Sequence, residues 1–391
     1  MAEKQKKVCM VVHEYYPKDF RVRREAETLI QNGYAVDVIC LKKIGERFRD
    51  NWNKVNIYRL PVKRHRGSPL WVYLLEYGSF TILAFLILSW LFIKKRYDVV
   101  HVHNPPDILV LTSLVPSLFG ATIIFDIHDR VPLLFQSRFG NTNNLALKIA
   151  RLSEKTAVSY ANRVIVAVPS YKKMLVNDSI PSSKITVLLN TADEKYFHPM
   201  TPEIEEPNDK IIKLFYHGTL LERYGLDVLV EAASLLKKDG IEFTLTIIGE
   251  GDFKKTLVEL IEKLGIKECV HFGQFVLLDH LPREIAKADL CIVPNRKGIF
   301  MDNVLPTKLF EYIVMEKPVV VSRTTEVVET FSDNEITYFE PGDAGDLKNK
   351  IILFAGNRNS FKDKVKKAKE KYSTIAWSKQ QDILAALYKN L

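Results

Sequence analysis

Asn303-Val304-Leu305-Pro306-Thr307-Lys308-Leu309-Phe310-Glu311-Tyr312-Ile313-Val314-Met315-Glu316-Lys317-Pro318-Val319-Val320-Val321 is the stretch whose reading decides the fold. Pro306 suits the first turn of a helix, where its missing N–H costs nothing. Leu309, Phe310 and Ile313 recur at helical spacing, and Pro318 stops the helix before a β-branched run, Val319 to Val321. A helix start carries unpaired N–H groups and partial positive charge, so residues 303–307 read as an anion site. Lys308 adds a full charge beside it. Glu311, one turn further in, offers a carboxylate to a pair of hydroxyls. A phosphate binder followed by a diol acceptor describes a nucleotide-sugar site, against the plainer alternative of an amphipathic helix with a buried salt bridge.

Outward from that stretch, a chain of 391 residues is long for one core, and two domains are expected. The four cysteines, Cys9, Cys40, Cys269 and Cys291, each fall in a short apolar run without metal-ligand spacing. They read as buried thiols in a reducing compartment. Met1-Ala2-Glu3-Lys4-Gln5-Lys6-Lys7 leads straight into a strand without a signal-peptide core, so a cytosolic protein is expected. Residues 1–100 hold the whole net charge of +9, nineteen basic residues against ten acidic ones. That asymmetry suggests an anionic partner, or else a solvated face. No zinc spacing, aromatic RNA-binding motif or long basic helix accompanies it, which argues against nucleic acid and for an anionic membrane surface.

Val8 to Val12, a helix from about Arg21 to Gln31, and Ala35 to Cys40 make a βαβ unit, hence a parallel sheet. Arg21, Arg23 and Arg24 either dock an anionic acceptor or form a solvated face with Glu25 and Glu27. From Pro69 to Ile93 the only charge is Glu76, with basic clusters on both sides. The length permits a membrane span. The following strand, Asp98 to His103, must rejoin the first sheet, so the segment is a buried core helix or one lying in a membrane interface. Trp71, Tyr73, Trp90 and the basic ends favour the interface. Ligands of parallel sheets sit at the carboxyl ends of strands. His103 and His128, in His101-Val102-His103 and Asp126-Ile127-His128-Asp129, occupy such ends as active-cleft candidates, or they merely cap loops. Pro199 to Lys210, with three prolines and four acidic residues, reads as a linker. Strand, Gly218 loop and helix then restart the pattern at Ile211. Gly218 allows close backbone approach, and Arg223 presents a planar fork of donors suited to a pyrophosphate.

Leu305-Pro306-Thr307-Lys308-Leu309-Phe310-Glu311-Tyr312 resembles the helix bearing the Glu-x7-Glu motif of retaining GT4 glycosyltransferases, with Asn303 where the first glutamate would stand. The resemblance covers essentially the whole chain and is strongest over residues 211–321. It implies that Glu311 binds the nucleotide ribose, while Asp302 or backbone N–H groups replace the first glutamate. His217-Gly218-Thr219 through Tyr224-Gly225 stands where the family has Gly-Arg-x4-Lys-Gly, so Arg223, shifted by one, is the implied diphosphate ligand. Gly249-Glu250-Gly251 matches a turn near the nucleotide and Gly273 a contact to the base. His128 matches a histidine that touches the donor sugar. The implied architecture is α/β and GT-B: a Rossmann-like domain over 1–198, a linker over 199–210, a second over 211–375, an interdomain cleft, and a final helix over 376–391 returning to the first. Catalytic candidates are thus His128, Arg223 and Lys308. Donor candidates are Gly218, Thr219, Glu250, Gly273, Asn303, Val304, Leu305, Pro306, Thr307 and Glu311. Arg21, Arg24, His103, Trp71 and Trp90 are candidates for the acceptor or membrane side. The implied reaction is retaining transfer from a nucleoside diphosphate sugar, UDP favoured, to a lipid-linked or glycan acceptor at the inner face of the cell membrane. Fixed cations replace a metal, so neither cofactor nor divalent ion is expected. The rivals are an epimerase, for which neither Gly-x-Gly-x-x-Gly nor Tyr-x-x-x-Lys stands in place, and a non-catalytic membrane scaffold of the same fold.

Overall fold

A computed structural model describes residues 5–65, 69–139, 145–200, 211–273, 276 and 278–391. The chain divides into two compact units, one of Met1–Leu189 with Gln380–Leu391 and the other of Asn190–Lys379. The first is built on eight strands: β1 (Lys7–Val12), β2 (Ala35–Leu41), β3 (Arg49–Trp52), β4 (Val55–Leu60), β5 (Val99–His103), β6 (Thr122–Ile127), β7 (Arg163–Val166) and β8 (Ile185–Val187). Their order is β3-β4-β2-β1-β5-β6-β7-β8, parallel except for β3, which pairs antiparallel with β4 at the edge. Val8 to Val12 are buried because helices cover both faces of a parallel sheet, which is why these strands read as unbroken apolar runs.

The second unit carries β9 (Ile212–His217), β10 (Phe243–Ile248), β11 (Val270–Gly273), β12 (Leu290–Val293), β13 (Val319–Ser322) and β14 (Thr337–Phe339). They form an all-parallel sheet in the order β11-β10-β9-β12-β13-β14. Leu214, Leu245, Ile247 and Ile292 share its core with Leu229 and Ala233 of the helix Leu226–Lys238.

The unit boundary differs from the one expected at 198. Glu194 already belongs to the second unit, accepting from the Tyr372 hydroxyl at 2.9 Å and the Trp377 amide at 3.3 Å. The expected linker over 199–210 lies, from 201 on, outside the described residues. At the other end, the helix Trp377–Lys389 joins the first unit from Gln380 onward. Gln380 accepts from the Leu189 amide at 2.9 Å, and the Tyr388 hydroxyl lies 2.9 Å from His101 Nδ1.

The apolar stretch is one helix, Leu70–Lys95, with one side buried and the other exposed. Phe80, Ala84, Leu88, Leu91 and Phe92 are buried, whereas Trp71, Leu74, Leu75, Ile82, Leu86, Trp90 and Ile93 stand exposed on the other side. Its length and composition suffice to cross a membrane, but the inner side packs on the unit's own elements. Glu76, its one acid, is buried: Oε2 accepts from the His65 amide at 2.7 Å and lies 2.9 Å from His65 Nδ1, while Oε1 lies 3.2 Å from His13 Nε2. Burial, and then Arg64, pull the His13 imidazole down to about 4.

Candidate active site

Parallel register brings the sequence-predicted donor loops of the second unit to one edge. His217 pairs with Ile248, and Ile248 with Gly273, so β9, β10 and β11 end side by side, and the loops after β9 and β10 leave the sheet together. The first two are fused backbone to backbone: the Gly218 amide donates to Ile248 O at 2.9 Å and the Leu220 amide to Glu250 O at 3.0 Å. A Cβ on Gly249 would stand 1.9 Å from the Gly218 carbonyl oxygen, so only glycine fits there.

Over this edge lies the helix Thr307–Val314. Pro306 is its N-cap rather than part of its first turn, a shift of one residue from the expected start. Lys308 turns inward. Its Nζ donates to the Tyr216 hydroxyl at 2.6 Å, lies 4.0 Å from the Tyr216 ring centre and 4.9 Å from that of Tyr224. A Cβ on Gly218, whose φ is +133°, would stand 2.7 Å from that Nζ, so the glycine is what lets the amine reach the loop. Burial pulls the amine down to about 7 against the opposing pull of Glu311. Glu311 is buried one turn on, its Oε2 3.0 Å from His217 Nε2.

Arg223 arrives at the same place through a different element, the short turn Glu222–Tyr224. Its guanidinium carbon lies 5.3 Å from the Tyr224 ring centre and 5.5 Å from that of Phe300. Tyr224 is therefore flanked by both candidate cations. Arg223 Nε is buried without a hydrogen-bond partner, a donor still to be satisfied. Nothing in the sequence marked Tyr216 and Tyr224 as the platform for these charges, although Tyr224 occupies a position where the resemblance leads one to expect a cation.

The remaining donor candidates divide. Thr307 Oγ1 accepts from Asn190 Nδ2 at 3.3 Å, which ties the helix start to the Asn190-Thr191-Ala192-Asp193 segment. Leu305 and Pro306 are buried, and Val304 is half-buried. Asn303 Nδ2 donates to Ile299 O at 2.9 Å, and Asp302 accepts from the Gly298 amide at 3.2 Å. Asn303 thus braces its own loop, and Asp302 also accepts from the Thr325 amide and hydroxyl at 3.4 Å. Thr219 is exposed, and its carbonyl accepts from the Tyr216 hydroxyl at 3.2 Å. Glu250 is exposed and paired with Lys254 at 2.8 Å, so its backbone rather than its carboxylate shapes the site.

In the first unit, His103 and Asp126 stand opposite each other in register at the ends of β5 and β6. Arg21 departs from expectation. It is buried, its Nε and Nη2 both donate to Asp126 at 2.9 Å, Nη1 donates to Leu188 O at 3.0 Å, and Nε lies 3.1 Å from Glu25 Oε1. Arg24 is buried as well. The reason is the phase of the helix: Asp19 caps it by accepting from the Val22 amide, and the first turn then faces the sheet. His103 is likewise buried, which corrects its assignment to an acceptor or membrane surface.

Burial tends to raise Asp126, but Arg21, His128 and the His103 hydrogen bond outweigh it and hold the carboxyl well below its ordinary range. Burial together with the Asp126 charge pushes Glu25 well above its own. Burial also pulls His101 and His103 down. Arg21 and Asp126 thus pair as ions, while Glu25, His101 and His103 are held toward their neutral forms beside them, which suits a buried site. Only His128 reaches the surface, its side chain 18% exposed. Glu25, His101, His103 and Asp126 also lie close enough to hold a metal ion, but Arg21 already neutralises the ionised carboxylate there.

Two mainly parallel α/β units with ligand-ready carboxyl edges define the GT-B class of glycosyltransferase fold. The Glycosyl transferase 4-like domain model matches residues 20–191 and the Glycosyl transferases group 1 model residues 200–371. The chain belongs to the group 1, GT4-type glycosyltransferases. It is 26% identical over 225 residues to the amylovoran biosynthesis glycosyltransferase AmsK of Erwinia amylovora, covering 56% of this chain and 54% of that protein. It is also 26% identical over 295 residues to the chitobiosyldiphosphodolichol beta-mannosyltransferase of Candida albicans, covering 68% and 62%. The chain thus spans between half and two thirds of the length of these relatives. Among solved structures, HepE of Anabaena in complex with UDP-glucose superposes with a TM-score of 0.72 at 14% identity, covering 98% of this chain and all of that one. With glycosyltransferase models matching both units, the epimerase alternative falls away.

Proposed function

We propose that this protein transfers a sugar, with retention of configuration, from a nucleoside diphosphate sugar to a lipid-linked acceptor in cell-surface polysaccharide or glycolipid assembly. The observation that carries the proposal is the convergence of Lys308, Arg223 and Glu311 on the carboxyl edge of one sheet, around Gly218. Departure of a diphosphate develops negative charge, and cations held in a dry site stabilise it without reorganising. Lys308 supplies that charge from a buried position and Arg223 from a half-buried one, so no divalent metal is required in this scheme. Glu311 accepts from the ribose hydroxyls. UDP is the favoured carrier, in keeping with the UDP-glucose held by HepE.

The lipid character of the acceptor rests on the outer face of the helix Leu70–Lys95. Its exposed residues do not stand alone: Leu111, Leu114, Leu118 and Phe119 in the neighbouring turns are exposed, as are Leu145, Ile149 and Leu152 of the helix Leu145–Tyr160. Lys94, Arg96, Lys148, Arg151 and Lys155 stand among them. Apolar surface with basic residues interspersed suits the interface of an anionic bilayer, which supports a working position on the inner face of the cell membrane. The diphosphodolichol in the Candida relative's name is a precedent for a lipid carrier.

The deciding assay follows release of nucleoside diphosphate from UDP-, GDP- and ADP-sugars, with and without a polyprenyl-diphosphate acceptor, and reads the anomeric configuration of the product by NMR. Acceptor-dependent release from one donor, with retained configuration, is expected. No release from any donor with any acceptor would leave the non-catalytic scaffold as the better account.

A further inference from the structure

At the end of β6, Asp126 Oδ2, His103 Nδ1 and His128 Nε2 form a triangle with sides of 3.2, 3.1 and 3.1 Å. The carboxylate is fixed independently, because Arg21 donates to both its oxygens and the backbone of β6 holds it in register with β5. His128 is fixed at its other end, its amide donating to Asn104 Oδ1 at 2.8 Å. A nitrogen lone pair facing an ionised carboxylate oxygen at this distance is repulsive, whereas an N–H there is a charge-assisted hydrogen bond. His103, buried and neutral, uses Nδ1 in the same way, and its Nε2 has no hydrogen-bond partner. Proton placement on both rings is therefore dictated by one oxygen.

We infer that Asp126 is a positioning residue: it fixes His128 as the Nε2–H tautomer, so that the partly exposed imidazole offers Nδ1 as a hydrogen-bond acceptor to a sugar hydroxyl. The inference deepens the proposed function and rests on it for the identity of the hydroxyl, but not for the tautomer. A ring so held accepts rather than donates. It therefore recognises a hydroxyl rather than a phosphate. Arg21 becomes part of the same device, because it keeps Asp126 charged and correctly turned inside a buried cluster.

Two measurements test this. In the full chain labelled with 15N-histidine, long-range 1H–15N spectra assign each ring's tautomer, and His128 is identified by the signals that His128→Gln removes. The expected result is the Nε2–H form in the wild type; an Nδ1–H ring overturns the inference whatever the enzymatic activity. The second measurement uses Asp126→Asn, whose amide can present N–H to the ring and release the Nε2–H preference. Sugar transfer is expected to fall about 10- to 100-fold, the effect of losing one hydrogen bond to a charged or polar partner. UDP affinity, which belongs to the second unit, is expected to stay within about twofold. Equal loss of UDP affinity, or a wild-type tautomer persisting in Asp126→Asn, counts against Asp126. If Asp126→Asn does not fold, because Arg21 loses its partner, the wild-type spectrum decides alone.

Discussion

Replacing Lys308 by Met should stabilise the protein while weakening its hold on the donor. In the unfolded chain the amine titrates near 10.5, and in the folded chain burial brings it to about 7. At pH 7 that difference costs the folded state on the order of 4 kcal/mol. The hydrogen bond to Tyr216 returns roughly 1 kcal/mol. A lysine depressed in this way penalises folding wherever the unfolded chain is protonated and the folded one resists protonation. The penalty is complete below pH 7 and fades as pH rises toward 10.5. Lys308→Met keeps the length of the side chain and removes the charge, so it should melt higher at pH 7, by roughly 2–4 °C for each kcal/mol recovered in a unit of this size. The gain should shrink near pH 10. UDP binding should weaken about tenfold or more, since a charged donor to the diphosphate is gone. Scanning calorimetry at the two pH values follows the transition that UDP shifts, and isothermal titration gives the affinity. A variant that melts below wild type at pH 7, or gains equally at both pH values, would show that the amine carries no desolvation penalty. Unchanged UDP affinity would remove it from the donor site.

Glu311→Gln keeps the shape of the side chain but loses charge-assisted acceptance worth about 1.5–3 kcal/mol; titration should show weaker UDP binding with folding intact, and equal affinity would exclude a ribose contact. Leu86, 55% exposed on the outer side of its helix, should tolerate Leu86→Glu without loss of fold yet cost flotation with anionic liposomes. Phe80→Glu, on the buried side of the same helix, should unfold the first unit. High salt should weaken flotation without abolishing it, because apolar insertion is not screened. Loss of fold in Leu86→Glu, or wild-type flotation, would refute a lipid-facing side.

Elements buried on both faces were legible in the sequence: Val8 to Val12 and Val319 to Val321 were expected to within one residue of the strands they form, because unbroken apolar runs have few other homes. The edge strand Arg49–Trp52 was not. All four of its residues are exposed, and it exists only because β4 offers it a free edge, a tertiary fact without a local pattern. The same asymmetry runs through the candidate site. Lys308 and Glu311 could be singled out because anion and diol chemistry calls for those residue types at helical spacing. Arg21 was misread because a basic run looks solvated until the helix phase is known, and the partner that buries it, Asp126, lies 105 residues away. Tyr216 and Tyr224 looked like ordinary strand and turn aromatics. Their role depends on where Lys308 and Arg223 end up, which spacing alone does not encode.

The return of residues 380–391 to the first unit has a consequence for biosynthesis. Tyr388 is fully buried there, against Tyr34 and His101, next to the sheet that starts at Lys7. During translation that sheet can assemble early, but the space filled by Leu384 and Tyr388 stays open until residues 380–391 have emerged from the ribosome. The first unit is thus finished only after the second has been made. A nascent chain arrested after residue 379 would carry a complete second unit and an unsealed first one, and the unsealed face is where chaperones and proteases would find it.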